Sequence, residues 1–352
     1  MKRNSVLIIP SLNPDEKLIE YVDALLSEGF ERVILVDDGS RENLKPIFTT
    51  LEARGCDLLV HARNMGKGRA LKDALNHYLN RYAGEYLGVI TADSDGQHLV
   101  KDVIRLDDAM GEGGDALILG VRDFDDPSVP FKSRNGNKIT RTVMKLLIGG
   151  SITDTQTGLR GIPNRLCYEY LTLEGERFEY ETTMLIETLR KDIPIREIVI
   201  ETVYINDNRE THFNPIRDSI AIYRLILSTF MKYAFSSIAS FLVDYGLFCL
   251  LVAILAGVPQ ARRIWIGTVV ARVLSSLFNY AVNQGVVFKS EGSVRRTLIR
   301  YYGLVVVQMC CSAALVLLTT RALGWPETGV KPIVDVFLFL VSFQIQRRFV
   351  FK

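Results

Sequence analysis

Four apolar stretches in the last third of the chain limit what it can fold into more than any other feature. Residues 233–257 carry one charge, Asp244, and residues 264–288 carry one, Arg272. Residues 301–320 carry none, and residues 330–346 carry Lys331 and Asp335. Each is near the roughly 20 residues a helix needs to cross hydrocarbon, the last being the shortest. Buried helices of a water-soluble domain do not come as four such stretches in a row, so four transmembrane helices are expected. Before residue 230 charges are frequent and apolar runs short, and 352 residues suit two domains. A net charge of +2 implies no affinity for nucleic acid from charge alone. Cys56, Cys167, Cys249, Cys310 and Cys311 show no paired or metal-binding spacing, which fits a reducing compartment or a membrane interior. The first residues hold an apolar run too short for a signal peptide, so the N-terminal half is expected in the cytoplasm.

That half alternates in type. Ser5-Val6-Leu7-Ile8-Ile9 reads as a strand, and Leu18, Ile19, Val22, Leu25 and Leu26 then recur at helical spacing. Val33 to Val36 is a second strand, ending in Asp37-Asp38-Gly39-Ser40. Asp57 to Val60 is a third, followed by a loop holding Asn64-Met65-Gly66-Lys67-Gly68 and a helix. A fourth strand precedes Asp93-Ser94-Asp95-Gly96-Gln97-His98. Such alternation means an α/β domain with a mostly parallel sheet covered on both faces. Ligands in such sheets bind beyond the carboxyl ends of the strands. Pro10 to Asn13, Asp37 and Asp38, Asn64 to Lys67, and Asp93 to Gln97 are therefore expected on one edge. Taken alone, each loop also fits a plain turn or helix cap.

Two carboxylates one residue apart repel and usually share a cation. Asp93, Asp95 and Gln97 are hard oxygen donors suited to Mg²⁺ or Mn²⁺. A calcium loop fails, because the twelfth position counted from Asp93 is Ile104 rather than Glu. Lys67, at a helix start, suits a phosphate, although the loop is neither a P-loop nor a dinucleotide-binding glycine pattern.

Together Ile8-Ile9-Pro10, Val36-Asp37-Asp38-Gly39-Ser40, Asn64-Met65-Gly66-Lys67-Gly68 and Asp93-Ser94-Asp95-Gly96-Gln97 resemble the inverting family 2 glycosyltransferases of GT-A fold. Among these the chain looks most like the polyprenyl-phosphate hexosyltransferases, such as dolichyl-phosphate mannose synthases and bactoprenol glucosyltransferases. The resemblance spans about residues 4 to 215. It implies nucleotide-sugar contacts at Pro10, Asn13, Glu16, Asp37, Asp38, Asn64, Lys67 and Asp93, a metal on Asp93, Asp95 and Gln97, and catalytic roles for Asp95 and Asp154. The family usually reads Pro-x-Tyr-Asn-Glu at the first loop. Here it is Pro10-Ser11-Leu12-Asn13-Pro14, which displaces the carboxylate to Asp15 or Glu16.

A lipid monophosphate acceptor is ionised near neutral pH, so no strong base is required. The protein must instead bring two anions together, which suits arginine forks. Arg122, Arg134, Arg160 and Arg209 are the candidates. Residues 123–137, rich in Pro, Asp, Ser and Gly, read as a long loop of the kind that forms lids. Asp154 is expected to orient the acceptor or the metal site. The acidic stretch Phe178-Glu179-Tyr180-Glu181 fits a helix N-terminus more readily than a catalytic role.

Residues 214–231 read as an amphipathic helix on the bilayer surface, separating a GT-A domain at 1–213 from a four-helix domain at 232–352. Asn279 to Lys289 echoes Ser342 to Lys352 at an offset of 63, so two hairpins of the same orientation are expected. With Asp244, this half resembles the GtrA-like family, proposed to move or present lipid-linked sugars. Lys289, Arg295, Arg296, Arg300, Arg347, Arg348 and Lys352 outnumber the positive residues of the opposite loops, favouring a cytoplasmic C-terminus. Arg272 and Asp335 lie at similar depth and are expected to pair, with Asp244 as the second option. The expected function is transfer of a hexose from a UDP- or GDP-sugar to a polyprenyl phosphate at the cytoplasmic face of the membrane. The alternatives are another lipid or polymer acceptor, or a flippase whose soluble domain only binds. The sugar, the prenyl length and any homo-oligomer are left open.

Overall fold

The computed structural model describes residues 3–124, 131–150, 152–201, 217–290 and 292–351. They divide into two compact units, residues 1–226 and 227–352.

The first unit is a seven-stranded sheet with the order β3-β2-β1-β4-β6-β5-β7. Its strands are β1 Ser5–Ser11, β2 Val33–Asp37, β3 Asp57–Val60, β4 Gly88–Thr91, β5 Leu117–Arg122, β6 Arg160–Pro163 and β7 Ile195–Ile200. Every residue of β1, β2 and β4 is buried, which is why these segments read as continuous apolar runs rather than alternating ones. The helices are α1 Lys17–Ser27, α2 Lys45–Ala53, α3 Lys67–Arg81, α4 Val100–Gly111, α5 Phe131–Leu147, α6 Asn164–Tyr170 and α7 Glu179–Arg190. They cover two apolar layers. One gathers Leu71, Leu75, Tyr78, Leu166 and Tyr180 around Val6 and Ile8; the other gathers Leu18, Val22, Leu25, Val103 and Leu106 around Leu7 and Ile9.

Strand β6 departs from the parallel pattern. It runs antiparallel between β4 and β5, with Arg160 opposite both Thr91 and Leu119. The chain before an antiparallel strand lies at the carboxyl ends of its parallel neighbours. Residues 154–159 are thereby delivered to the edge where Asp93 begins.

Two expectations need correction here. The stretch 123–137 is not all loop, because α5 begins at Phe131. Its inward face carries Asn137, Thr140 and Met144, all buried, so the helical period is partly written in polar residues. Asn137 Nδ2 donates to the Thr153 carbonyl at 2.7 Å, which is how that polar face is satisfied. Residues 125–130 lie outside the described residues. The helix read at 214–231 is not a separate element either. From Arg217 it runs unbroken to Ile254 as α8, and Ile222 and Ile226 are buried in the first of the two apolar layers.

The second unit contains α9 Gln260–Val282, α10 Val294–Leu323 and α11 Glu327–Ile345. With α8, four helices among the described residues are long and apolar enough to cross a membrane. The internal echo has a structural counterpart. π-Helical turns end both hairpins, at Asn283–Val287 and Gln346–Val350. Asn283 Nδ2 donates to Gln346 Oε1 at 3.2 Å, 63 residues away. Phe288 stacks on Phe351 with centroids 5.2 Å apart and planes 14° apart. Residues that touch their own counterparts lie on the axis relating the two copies. The expected Arg272–Asp335 pair does not form. Arg272 Nη2 lies 3.3 Å from Asp244 Oδ2, the second option, and Asp335 takes Lys331 one turn away at 2.6 Å. Equal depth does not bring two side chains to the same side of their helices; a neighbour four residues away is on the right side by construction.

Candidate active site

The carboxyl edge of the sheet is built from loops tied to one another. Asn13, with a positive φ of 51°, holds the end of β1 to the loop after β2. Its N–H donates to Ser40 Oγ at 2.8 Å, and its Oδ1 accepts from the Arg41 N–H at 2.9 Å. Asp37 accepts from Lys45 Nζ at 2.7 Å and from the Ser40 N–H at 2.8 Å. Although burial alone would raise its carboxyl, these partners hold it below the usual carboxylate range. Asp38 ties the glycine loop down, accepting from the N–H groups of Met65 and Gly66, both at 2.8 Å, while His61 Nδ1 lies 2.7 Å away. Pro10 is buried in β1 opposite Val36. Glu16 is exposed before α1, and Asn64 is exposed in the glycine loop.

Gly66 has a φ of +105°, and a Cβ there would meet the Glu176 carbonyl at 2.3 Å. This turn starts α3 with Lys67, whose side chain is only 16% exposed. Lys67 Nζ lies 2.7 Å from Asp93 Oδ1 and 3.0 Å from Glu181 Oε1. Burial works against its charge, but the two carboxylates outweigh burial and raise its pKa. Asp93 Oδ2 is 3.2 Å from His98 Nε2. Desolvation opposes the Asp93 charge, yet Lys67 and His98 hold this carboxyl far below the ordinary range. Gly158, just before β6, backs onto the same carboxylate; a Cβ there would sit 2.5 Å from Oδ2. Asp95 is exposed, and its Oδ1 accepts the Gln97 N–H at 3.1 Å.

A second cluster lies at the end of β5. Arg122 Nε and Nη2 meet the two oxygens of Asp154 at 2.7 and 3.0 Å. Asp154 is fully buried and also accepts from the N–H groups of Arg122 and Gln156. Its oxygens are thus turned to Arg122 and the backbone, which makes Asp154 the residue that fixes the plane of that guanidinium. Arg160 is displaced from its expected place as well. It is 1% exposed, donating to the Thr157 carbonyl at 3.0 Å and the Glu181 carbonyl at 2.7 Å. Buried in this way, the guanidinium ties α7 to the start of β6 rather than standing at the surface. Arg134 is half-buried on α5. Arg209 lies outside the described residues.

Among the described residues no three His, Cys, Asp or Glu side chains are gathered as a metal cluster. Asp93 is taken up by Lys67 and His98, and the oxygens of Asp95 and Gln97 follow it on the same turn. Hard oxygens of this kind fit Mg²⁺ or Mn²⁺ when phosphate and water complete the shell.

Sequence reasoning gave no site role to three residues here. Glu181 reads as a helix-end charge, His98 only closes the stretch that begins at Asp93, and Gly158 lies in the stretch Asp154 to Gly161, where Asp154 and Arg160 are the candidates. Glu181 sits in the first turn of a helix, three positions before the run Met184, Leu185 and Ile186.

Residues 6–171 match the family model described as Glycosyl transferase family 2. Residues 230–351 match the one described as GtrA/DPMS, transmembrane domain. Glycosyltransferase AglJ of Haloferax volcanii is 27% identical over 221 residues, 62% of this chain and 69% of that protein. A Methanococcus voltae protein named UDP-N-acetylglucosamine–dolichyl-phosphate N-acetylglucosaminyltransferase is 25% identical over 241 residues, 63% of this chain and 94% of that one. An uncharacterized protein of Methanocaldococcus jannaschii is 26% identical over 225 residues, 63% of this chain and 90% of its own length. The chain therefore joins a family 2 glycosyltransferase domain to a GtrA/DPMS transmembrane domain.

Proposed function

We propose that this chain transfers a hexose from a nucleoside diphosphate sugar to a polyprenyl phosphate at the cytoplasmic face of a membrane. The observation that carries the reading is Lys67, a largely enclosed ammonium at a helix N-terminus, 2.7 Å from Asp93. A helix start with its own lysine is suited to a diphosphate, and the acidic stretch beside it is suited to the cation that accompanies one. Asp95 and Gln97 would hold a Mg²⁺ or Mn²⁺, which neutralises charge on the leaving diphosphate when bound. Lys67 neutralises the same group from the protein side. Asn13 and Asp38 keep the surrounding loops rigid, so their reorganisation costs little on binding.

The acceptor phosphate needs a cation rather than a base. Arg122, oriented by Asp154 and stacked 4.9 Å from the Phe124 ring, fits that need, with Arg134 and Arg209 as further candidates. In-line attack by the phosphate on the anomeric carbon inverts its configuration. The dolichyl-phosphate transferase among the relatives favours a polyprenyl acceptor over a diacylglycerol or a polymer. The positive residues at the ends of α9 and α11 favour the cytoplasmic orientation.

Thermal-shift screening of UDP and GDP with Mn²⁺, followed by glycolipid formation from polyprenyl phosphate, tests the reading. One nucleotide should raise the Tm, and Asp95→Ala should abolish product. Continued movement of supplied lipid-linked sugar by Asp95→Ala, with no product from the wild type, would favour the flippase alternative.

A further inference from the structure

Lys67 is held by two carboxylates of unequal standing. Asp93 keeps a second partner in His98, whose Nε2 lies 3.2 Å from its other oxygen, and is itself partly open to solvent. Glu181 is 7% exposed, and among the described residues its side chain has no cationic partner besides Lys67. A buried carboxylate stripped of its only cation is costly, whereas a half-buried one with a remaining partner is not. Glu181 is also fixed from behind, because Arg160 Nη1 donates to its carbonyl at 2.7 Å. Lys67 therefore parts from Asp93 more readily than from Glu181.

We infer that Glu181 is a positioning residue that keeps Lys67 at the cleft, and that an incoming diphosphate takes Lys67 over from Asp93. The inference rests on the donor reading above and adds an order of events to it. In the ligand-free site Lys67 and Asp93 neutralise one another. A diphosphate that enters replaces the Asp93 carboxylate as the anion on Lys67 Nζ, and Asp93 keeps its contact with His98 and its exposure to solvent. Glu181 prevents Lys67 from following Asp93 alone. No bond is made or broken in this exchange; one charge-assisted hydrogen bond replaces another.

Titrating the full chain in detergent with UDP and with GDP, each in EDTA so that no divalent ion contributes, tests this. Asp93→Asn removes the competitor and should tighten nucleotide binding, by about tenfold for one charge-assisted hydrogen bond. Glu181→Gln leaves Lys67 with Asp93 and should weaken binding by a similar factor. Glu181→Asp should recover part of that loss, and the Glu181→Gln penalty should shrink in the Asp93→Asn background. A carboxylate that merely repelled phosphate would give the opposite sign at Glu181, and tighter binding by Glu181→Gln overturns the proposal. So does weaker or unchanged binding by Asp93→Asn, a variant of a half-buried side chain that remains informative if Glu181→Gln does not fold. Wild type that binds neither nucleotide, with or without Mn²⁺, sinks the donor reading and this inference together; wild type that binds while both variants match it sinks only the inference.

Discussion

Asp93 shows how one side chain is fixed by residues far apart in the chain. Lys67, His98 and Gly158 surround its carboxylate, and the glycine matters for what it lacks. A methyl group at 158 would sit 2.5 Å from Oδ2, too close for any real Cβ. The neighbouring backbone belongs to β6 and cannot give way cheaply, so the carboxylate must turn instead. By turning Asp93 away from Lys67, Gly158→Ala is expected to tighten nucleotide binding in EDTA, by up to about tenfold, as Asp93→Asn does. Its Tm should fall by only a few degrees, as for a local strain near 1 kcal/mol. Calorimetric titration and a melting curve check both; unchanged affinity would mean that Asp93 does not set the site.

Elements place charges that sequence spacing alone leaves ambiguous. On α8 and α9, Asp244 and Arg272 meet across a helix pair, and Ser275 Oγ adds a hydrogen bond to Asp244 at 2.9 Å. On α11, Asp335 is served by Lys331 and by Ser312 Oγ at 2.9 Å. A charge inside hydrocarbon needs its partner, so removing one member strands the other. Arg272→Leu should lower the yield of folded protein in wild type and do so much less in an Asp244→Leu background, with a coupling of about 1–3 kcal/mol. In an Asp335→Leu background the penalty should be undiminished. Detergent-resistant monodisperse protein, measured by size exclusion, separates these outcomes.

At the scale of the molecule, α8 belongs to both units. Its first turns bury Ile222 and Ile226 with the sheet domain, while its later turns are a membrane-length helix. The soluble fold thus extends into the segment that the sequence marks as a connection. A chain ending at residue 231 should fold, whereas one ending at residue 216 loses two buried isoleucines, worth about 1.5–3 kcal/mol each. Urea melts of the two truncations check this, and equal stability would show that α8 adds nothing to the first unit.

The sequence by itself determined the division into two halves, the four membrane-length helices, the strands β1 to β4 and the loops at their ends. Each of these depends on local apolar period or on a loop motif read within about ten residues. The strands β5 and β7 were also legible as apolar runs, whereas tertiary structure alone decided β6 and the partners of the site's side chains. Strand β6 has four residues, one of them glycine and one arginine, so nothing local announces it. Only its insertion between β4 and β5 brings Gly158 to Asp93 and Asp154 to Arg122. The same packing buries Arg160 where its charge type suggested a surface role. It also sets Glu181 against Lys67, two residues far apart in the chain. Long-range electrostatic partners are chosen by which surfaces meet, and that information lies in the packing of the elements rather than in any one of them.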